Sequence, residues 1–236
     1  MAEFSISFDP HVHSEGSFDG KEPVELILQH ADDIGLDAIA ITDHDVIEYS
    51  LEAVELAQDY DVIAVPGVEV STKAGHLLGL GIEEKPPKKL PVAETIEMIK
   101  AKGGTAIIPH PFQRMRHGIP RRKITACDGI EVYNAWLFTG YRNRQAARYA
   151  KHHEFTGIAA SDAHRMGTVG RAYTELEIEA ESRDDITAED ILQAISNGDT
   201  GIQGRRKPIH TSAIDYTKAL LRKGRWLTDK IPHPGR

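Results

Sequence analysis

Residues 4–20, FSISFDPHVHSEGSFDG, place a short apolar run directly before a cluster of proton- and metal-binding side chains. The run FSISF has the length and composition of one β-strand. Asp9, His11 and His13 follow this run, and Asp19 comes shortly after them. Side chains two positions apart on an extended segment point to the same side, so His11 and His13 are placed to converge on one point. The stretch therefore predicts a strand that ends in a polar site.

The same alternation of apolar runs and amphipathic segments continues along the chain and indicates the fold class. Further runs of strand length lie at residues 37–41, 61–65, 76–82, 105–109, 128–133 and 156–160, and helical patterns lie at 23–35, 49–60, 91–104 and 140–153. Repeated strand–helix units predict an α/β fold whose parallel strands are joined by right-handed crossovers. About seven repeats fit either an open doubly wound sheet or a closed barrel. The chain has neither a GxGxxG motif after a strand nor a P-loop, so the usual markers of a nucleotide-binding sheet are missing.

The C-terminal part carries a different pattern. YTELEIEA (173–180) predicts another strand, ITAEDILQAISNG (186–198) a helix that ends at Gly198, and TSAIDYTKALLRKG (211–224) a C-terminal helix. Residues 224–236 are expected to be irregular. Because no repeat or long linker interrupts the pattern, we expect a single domain over residues 1–236. Its motif-bearing core would span residues 4–175, with residues 173–223 completing the barrel or packing on it.

Composition limits the class of protein. The chain has 236 residues, 27% of them charged, and no apolar run approaches the roughly 20 residues that span a bilayer. The start MAEFSIS lacks the pattern of a secretory signal, and one cysteine, Cys127, cannot form an internal disulfide. We therefore expect a cytoplasmic protein with no membrane segment. The net charge of −8 argues against a surface devoted to wrapping nucleic acid, although it permits a local basic patch.

Histidines and carboxylates follow five separate apolar runs. Parallel α/β sheets build their sites at the carboxyl ends of strands, so these side chains are expected to meet. Imidazole with carboxylate is the ligand set of Zn, Mn or Fe. The candidate metal ligands are His11, His13, Asp19, His44, Glu69, His76, His110, Asp162 and His164. Nine ligands exceed the four of one tetrahedral ion, so two or three divalent ions are expected, with Glu69 as the preferred bridge.

Other polar residues are assigned structural or supporting roles. Asp43 and Asp45 flank His44 with the opposite side-chain parity, so we expect them to orient ligands rather than to bind metal. Four other histidines fall in helices or in the tail and are expected to be structural, with His210 left open; they are His30, His152, His153 and His233.

Taken together, these motifs resemble a known family. DPHVH with Asp19, ITDHD, GVEVS, GH, IPHP and SDAH, in this order, are similar to the motifs of the PHP (polymerase and histidinol phosphatase) family of metal-dependent phosphoesterases. The resemblance runs from residue 4 to about 175 and implies a distorted (β/α)7 TIM-like barrel, two or three bound ions and hydrolysis of phosphate esters. The nine candidate ligands correspond to the metal-binding positions of the family.

The chain departs from the family pattern in two places. Asp19 stands where some members have histidine, and Phe18 is inserted before it. About 40 residues separate Glu69 from His110, so the domain that some exonuclease-like and nucleotide-phosphatase relatives carry there is absent. The substrates of those relatives are therefore not carried over.

The expected mechanism is attack on phosphorus by a water activated by the ions. Glu69, Asp162 and His44 are the expected catalytic residues, and His11 and His13 are expected to hold the ions beside them. The basic segment after His110 is a candidate substrate clamp, since arginine pairs well with phosphate. The candidate substrate-binding residues are Arg114, Arg116, Arg121 and Arg171, and Arg122 and Lys123 belong to the same basic segment. Arg171 and residues 204–207 are weaker candidates than the segment itself. Arg142 and Arg144 are expected only to decorate a helix.

Several functions remain open. The leading hypothesis is a phosphoesterase acting on a small phosphorylated metabolite or a nucleotide. A 5'–3' exonuclease on short single strands is an alternative, because a basic loop can follow a nucleic-acid backbone. An amidohydrolase-like C–N hydrolase and a metal-stabilised scaffold module are the others. Protein partners, the native metal and the general acid stay undetermined at this level.

Overall fold

A computed structural model describes residues 1–136 and 140–204 as a mixed α/β structure. Its strands are β1 (Ala2–Val12), β2 (Ala38–Ile41), β3 (Ile63–Ala64), β4 (Gly67–Ser71), β5 (His76–Leu80), β6 (Thr105–Ile108), β7 (Gly129–Asn134), β8 (Thr156–Ala160), β9 (Ala172–Ala180) and β10 (Thr200–Gly204). Its helices are α1 (Val24–Asp33), α2 (Glu48–Leu56), α3 (Val92–Ala101), α4 (Tyr141–His152) and α5 (Ala188–Asn197). The predicted helix at 211–224, the tail, His210, His233 and residues 205–207 lie outside the described residues.

The strands form two five-stranded sheets, in the orders β10-β9-β1-β2-β3 and β4-β5-β6-β7-β8. The predicted parallel pairing is present between β1 and β2, β2 and β3, β6 and β7, and β7 and β8, but not elsewhere. β4 and β5 form a hairpin, β5 is antiparallel to β6, and β9 is antiparallel to both β1 and β10. The physical reason for the hairpin is the short turn at residues 72–75, which cannot hold a crossover helix. Pairing among the described strands does not close into one barrel, so the predicted (β/α)7 barrel is not confirmed at this level.

Two isolated backbone bridges join the sheets at the ends of their strands. Val12 pairs with Ala163, beyond the end of β8, and His44, beyond β2, pairs with Glu69 in β4. Main-chain hydrogen bonds accompany both bridges: the amide of His13 donates to the carbonyl of Ala163 over 2.8 Å, and that of Asp45 donates to the carbonyl of Glu69 over 2.9 Å. The segments that carry the candidate ligands are therefore held against each other by the backbone.

Apolar side chains from both sheets meet in a shared core. Phe8, Leu78, Ile107, Ile158 and Leu176 are fully buried in one cluster. Burying each such side chain contributes about 1.5–3 kcal/mol. The sheets are therefore fastened together by this core as well as by the bridges.

Helix α5 closes one side of this core and is well specified by its sequence. Ile191 and Ile195 lie one turn apart, are fully buried and face the core cluster. Thr187 and Asp190 form a reciprocal capping box at the start of the helix, and Gly198 ends it with a φ of 87°. The predicted end at Gly198 is confirmed. No helix within the described ranges is long and apolar enough to cross a membrane.

Candidate metal centre

The segments that follow the strands bring histidines and carboxylates from distant parts of the chain to one place. Four groups of three have ligand atoms within 4.8 Å of one another, and all are buried or half-buried. The groups are His13–His44–His164, His11–Glu69–His110, His11–His13–Asp162 and His44–Glu69–His76. Eight of the nine predicted ligands belong to them. Their ligation of metal stays a prediction, but their convergence is a feature of the structure.

Glu69 lies at the centre of this cluster. Its Oε2 is 2.9 Å from His44 Nδ1 and 3.4 Å from Nε2 of both His11 and His13. Its Oε1 is 2.9 Å from His76 Nδ1 and 3.0 Å from His110 Nε2. One carboxylate thus contacts five imidazoles. This is the position that a group bridging two cations would occupy.

The histidine pair at the end of β1 is oriented by groups behind it. His11 Nδ1 lies 2.7 Å from Oε1 of Glu131, which is an acceptor, so Nδ1 carries the proton and Nε2 presents its lone pair to the cluster. His13 Nδ1 lies 3.3 Å from Ser17 Oγ. The two Nε2 atoms are 3.1 Å apart. Alternation along the strand therefore places both rings on one side, as predicted.

Asp162 connects the cluster to a cationic side chain. Arg116 donates to its carboxylate over 3.1–3.2 Å, and Asn134 Nδ2 donates to Oδ2 over 2.9 Å. The guanidinium of Arg116 also lies 5.3 Å from the ring centroid of Trp136, which packs at 4.8 Å against His164. Arg116 is the predicted substrate-binding arginine that the structure brings to the cluster.

Asp19 lies at the outer edge of the cluster. Its Oδ2 is 3.1 Å from His164 Nε2 and 3.6 Å from His44 Nε2. The neighbouring Phe18, which is 85% exposed, stacks on His44 with a centroid distance of 4.9 Å. The insertion of Phe18 therefore does not carry Asp19 away from the predicted ligands.

Burial and the neighbouring charged groups shift the pKa values of several residues in the cluster. Burial alone would lower the pKa of His11, but Asp162, Glu69 and Glu131 raise it well above the ordinary value. Burial and then the charge of His164 lower the pKa of His13. Burial would raise the pKa of Glu69, but the imidazoles of His11, His76 and His44 hold it well below its usual range. Glu69 is therefore a carboxylate at neutral pH and available as a ligand.

The donor atoms fit a group of divalent cations. His44 Nδ1, Glu69 Oε2 and His76 Nδ1 are buried and form no hydrogen bond among the described residues, although neighbouring ligand atoms lie within 3 Å of them. Buried donor atoms that approach one another without a hydrogen bond can be satisfied by a shared cation. Imidazole nitrogen and carboxylate oxygen, without thiolate, suit Zn, Mn or Fe. The residues present therefore fit divalent ions of this kind.

Two predicted ligands have unusual backbone conformations. His110 has a φ of 30° and Asp162 a φ of 52°, in the left-handed region that non-glycine residues rarely adopt. Such conformations cost about 1–3 kcal/mol and persist where surrounding contacts hold them. Both residues are turned towards the cluster at the ends of their strands.

Sequence reasoning missed the residues that hold the ligands from behind. Glu131 contacts His11, accepts from the amide of His110 over 2.8 Å, and accepts from Asn134 Nδ2 over 2.9 Å. It lies inside strand β7 and, although it is a carboxylate, is only 1% exposed. A carboxylate within the apolar run GIEVY was a signal, because an unpaired charge is rarely buried in a strand. His117, which stacks on His76 at 5.1 Å, was also missed.

The other predicted polar residues lie around the cluster or apart from it. Asp43 accepts from the amide and hydroxyl of Ser14, and Asp45 accepts from the amide of Ser71 over 2.8 Å, and their predicted orienting role stays a prediction. Arg171 donates to the carbonyl of Gly167 over 3.2 Å, and Arg121 lies against Tyr149. Arg114 is exposed in a short 3-10 turn. The structure thus brings Arg116, but none of these three, into contact with a predicted ligand among the described residues.

Known proteins are similar to this chain in sequence and in fold. Residues 140–200 match the family described as PHP-associated (PHP_C). Uncharacterized protein MJ1587 from Methanocaldococcus jannaschii is 36% identical over 149 residues, covering 58% of this chain and 87% of the relative. A phosphoribosyl 1,2-cyclic phosphate 1,2-diphosphodiesterase from Eggerthella lenta is 39% identical over 85 residues, covering 34% of this chain and 32% of that protein.

The fold is similar to that of a solved structure. A two-domain protein from Bacteroides vulgatus, containing a predicted PHP-like metal-dependent phosphoesterase, superposes with a TM-score of 0.69 at 20% identity. The superposition covers 86% of this chain and 66% of that protein. At this level of identity the likeness concerns the fold.

Proposed function

We propose that this chain, which belongs to the PHP family, is a hydrolase of phosphate esters that cleaves a phosphorylated metabolite or a nucleotide with two or three bound Zn, Mn or Fe ions. The observation that carries this proposal is the position of Glu69, whose one carboxylate contacts five imidazoles from both sheets. The proposed ligands are His11, His13, Asp19, His44, Glu69, His76, His110, Asp162 and His164.

The ions, when bound, would activate the attacking water and offset charge on the phosphoryl group. Residues of this chain would carry out the remaining functions. Glu69, His44 and Asp162, the proposed catalytic residues, hold the reacting centre between the two sheets. Glu131 fixes the tautomer and ring orientation of His11, and Arg116 supplies a fixed positive charge beside Asp162.

A direct test of this function combines metal analysis with a substrate panel. The purified protein is analysed for bound metal, and phosphate release from metabolites and nucleotides is measured with Mn, Zn and Fe added in turn. Metal-dependent phosphate release is expected, and it should be lost on chelation. Hydrolysis of cyclic amides without phosphate release would instead indicate the amidohydrolase alternative, and bound metal without any turnover would indicate a scaffold.

Arg116 is proposed to bind the phosphate of the substrate. Its Nη1 is buried without a hydrogen-bond partner among the described residues, while Nη2 is held by Asp162. Arg116→Ala is expected to raise KM by about tenfold, because one charge-assisted hydrogen bond to phosphate contributes roughly 1.5–3 kcal/mol. Bound metal should be unchanged. Steady-state kinetics with elemental analysis provide the measurement.

The matched control is Arg183→Ala. Arg183 also pairs with an aspartate, Asp37, but this pair lies before β2, at the opposite end of the strand from His44. It should leave KM unchanged. A KM that Arg116→Ala does not alter would remove Arg116 from the substrate site.

We also propose that seven of the strands form a distorted barrel. Through the two backbone bridges, the strand order β1-β2-β4-β5-β6-β7-β8 returns to β1, which supports a distorted seven-stranded barrel with the site at its carboxyl end. β3 adds to the edge of β2, and β9 and β10 extend the sheet beyond β1. A single domain and a cytoplasmic location complete the proposal.

A further inference from the structure

A basic face lies beside the candidate metal centre. Residues 112–123 and helix α4 together carry nine lysines and arginines and no aspartate or glutamate. The whole chain, in contrast, has a net charge of −8. Since acidic residues outnumber basic ones elsewhere, this concentration of positive charge is local. It forms the kind of basic patch that an acidic protein presents to a polyanion.

The two segments enclose an elongated groove. It consists of adjoining cavities of about 600 and 560 Å³ that share Phe112, Arg121 and Gln145 as walls. Arg144 and Arg148 line the first cavity, and Arg114 and Arg142 line the second. The arginines are therefore distributed along a groove rather than gathered around one point. A single phosphate would not contact all of them.

Positive charge in this groove is not neutralised by the protein. Among the described residues, Arg116 is the only arginine of these segments that pairs with a carboxylate. Arg121 and Arg142 instead lie over the rings of Tyr149 and Tyr141, at 5.2 and 5.5 Å from the centroids. Tyr141 is 61% exposed. Guanidinium groups without a carboxylate partner, beside an exposed aromatic ring, are the elements that bind single strands, whose phosphates pair with arginine while bases stack on rings.

The groove is continuous with the candidate metal centre along the chain. Phe112, in the wall shared by both cavities, is two residues after the predicted ligand His110. Arg116, between the groove-lining Arg114 and Arg121, contacts Asp162. The segment that lines the groove therefore also reaches the candidate metal centre, through Arg116.

From this arrangement we propose that the groove between residues 112–123 and α4 binds single-stranded nucleic acid, with Arg144 and Arg148 contacting phosphates and Tyr141 stacking on a base. This inference rests on the proposed phosphoesterase function and deepens it, because it makes the substrate a strand of several nucleotides. Helix α4 then has a binding role, where its sequence alone indicated only surface decoration by Arg142 and Arg144.

The test is fluorescence anisotropy with a labelled ten-nucleotide strand whose linkages are phosphorothioates, using the full chain with its metals retained. Arg144→Ala with Arg148→Ala should lower the slope of log Kd against log salt by about 1.4, since each phosphate contact of a single strand contributes about 0.7. At 0.1 M salt, binding should weaken by roughly 25-fold. Both residues are exposed on α4, so the fold should be kept.

The matched control removes the same charge elsewhere. Lys85 and Lys88 are exposed and outside the groove lining, and Lys85→Ala with Lys88→Ala should leave the salt slope unchanged.

Tyr141→Ala should weaken binding by about fivefold or more through loss of one base stack, and Tyr141→Phe should restore it. Equal slopes for the arginine and lysine variants, or equal binding of inorganic polyphosphate with no effect of Tyr141→Ala, would overturn the proposal.

The outcome separates this inference from the phosphoesterase proposal itself. Turnover of a small chromogenic phosphate ester should be unchanged in the Arg144 and Arg148 variant, because neither residue contacts a predicted ligand. Normal turnover with no strand binding would refute the groove alone. Strand binding with no turnover of any phosphate ester would refute the phosphoesterase proposal and leave the groove as a binding site.

Discussion

Glu69→Gln is expected to lower turnover by on the order of 10³-fold and to reduce the number of bound ions. Glutamine has the same shape as glutamate but no charge, so it removes the negative charge that faces five imidazoles while filling the same space. A neutral amide is a poor bridge between two cations, because only its oxygen has lone pairs to offer. The measurement is metal content by elemental analysis together with kcat on the best substrate of the panel.

The control for this variant is Glu177→Gln, an exposed carboxylate on β9 that should change neither quantity. Thermal unfolding in chelator reports whether the fold is retained, and Glu69→Asp provides a second variant that keeps the charge and shortens the reach. Full metal content and near-normal turnover in Glu69→Gln would show that Glu69 does not bridge the ions.

Glu131→Gln is expected to weaken metal binding or activity by about 10–100-fold, the range typical of groups that orient a metal-binding histidine. Glu131 accepts the proton of His11 Nδ1 and thereby keeps the lone pair of Nε2 directed into the cluster. Glutamine can still accept this hydrogen bond, but it lacks the charge that makes the imidazole a stronger ligand. Metal titration of the chelator-stripped protein gives the affinity directly.

A merely structural role for Glu131 would give a different result. Stability without metal should also fall in Glu131→Gln, because the glutamine NH2 must face the donor of His11 or those of His110 and Asn134. The gain in Tm on adding metal should shrink in addition, because ligand binding stabilises the folded state more when the affinity is higher. Glu179→Gln, on an exposed part of β9, is the control. Equal losses of stability with and without metal would show that Glu131 supports the fold and not the ligands.

The candidate ligands could be predicted from the sequence because two simple regularities place them. Alternation along a strand puts His11 and His13 on the same side, and the ends of neighbouring strands lie together in an α/β fold. Both regularities are local or topological and need no knowledge of packing. Neither regularity places Asp19, which lies at the edge of the cluster with its Oδ2 3.1 Å from His164 Nε2, and its role as a ligand stays a prediction.

The rest depends on contacts that local patterns do not encode. The hairpin of β4 and β5 and the antiparallel pairing of β9 follow from which strands find each other in space, and apolar runs of strand length look alike in either direction. Glu131 resembles an ordinary strand residue until His11, 120 positions away, is placed against it. Arg144 and Arg148 become part of a groove only because residues 112–123 pack beside α4.

The two backbone bridges between the sheets have a mechanical consequence. The group of His11, Glu69 and His110 takes one member from the first sheet and two from the second sheet and its strand ends, and the bridges involve Glu69 itself and Val12, next to His11. A cation bound there would link chain segments that are nearly a hundred residues apart in the sequence. Loss of metal would then weaken the contact between the two sheets before it disturbs either sheet. The bound metal would therefore control the rigidity of the protein as well as its chemistry.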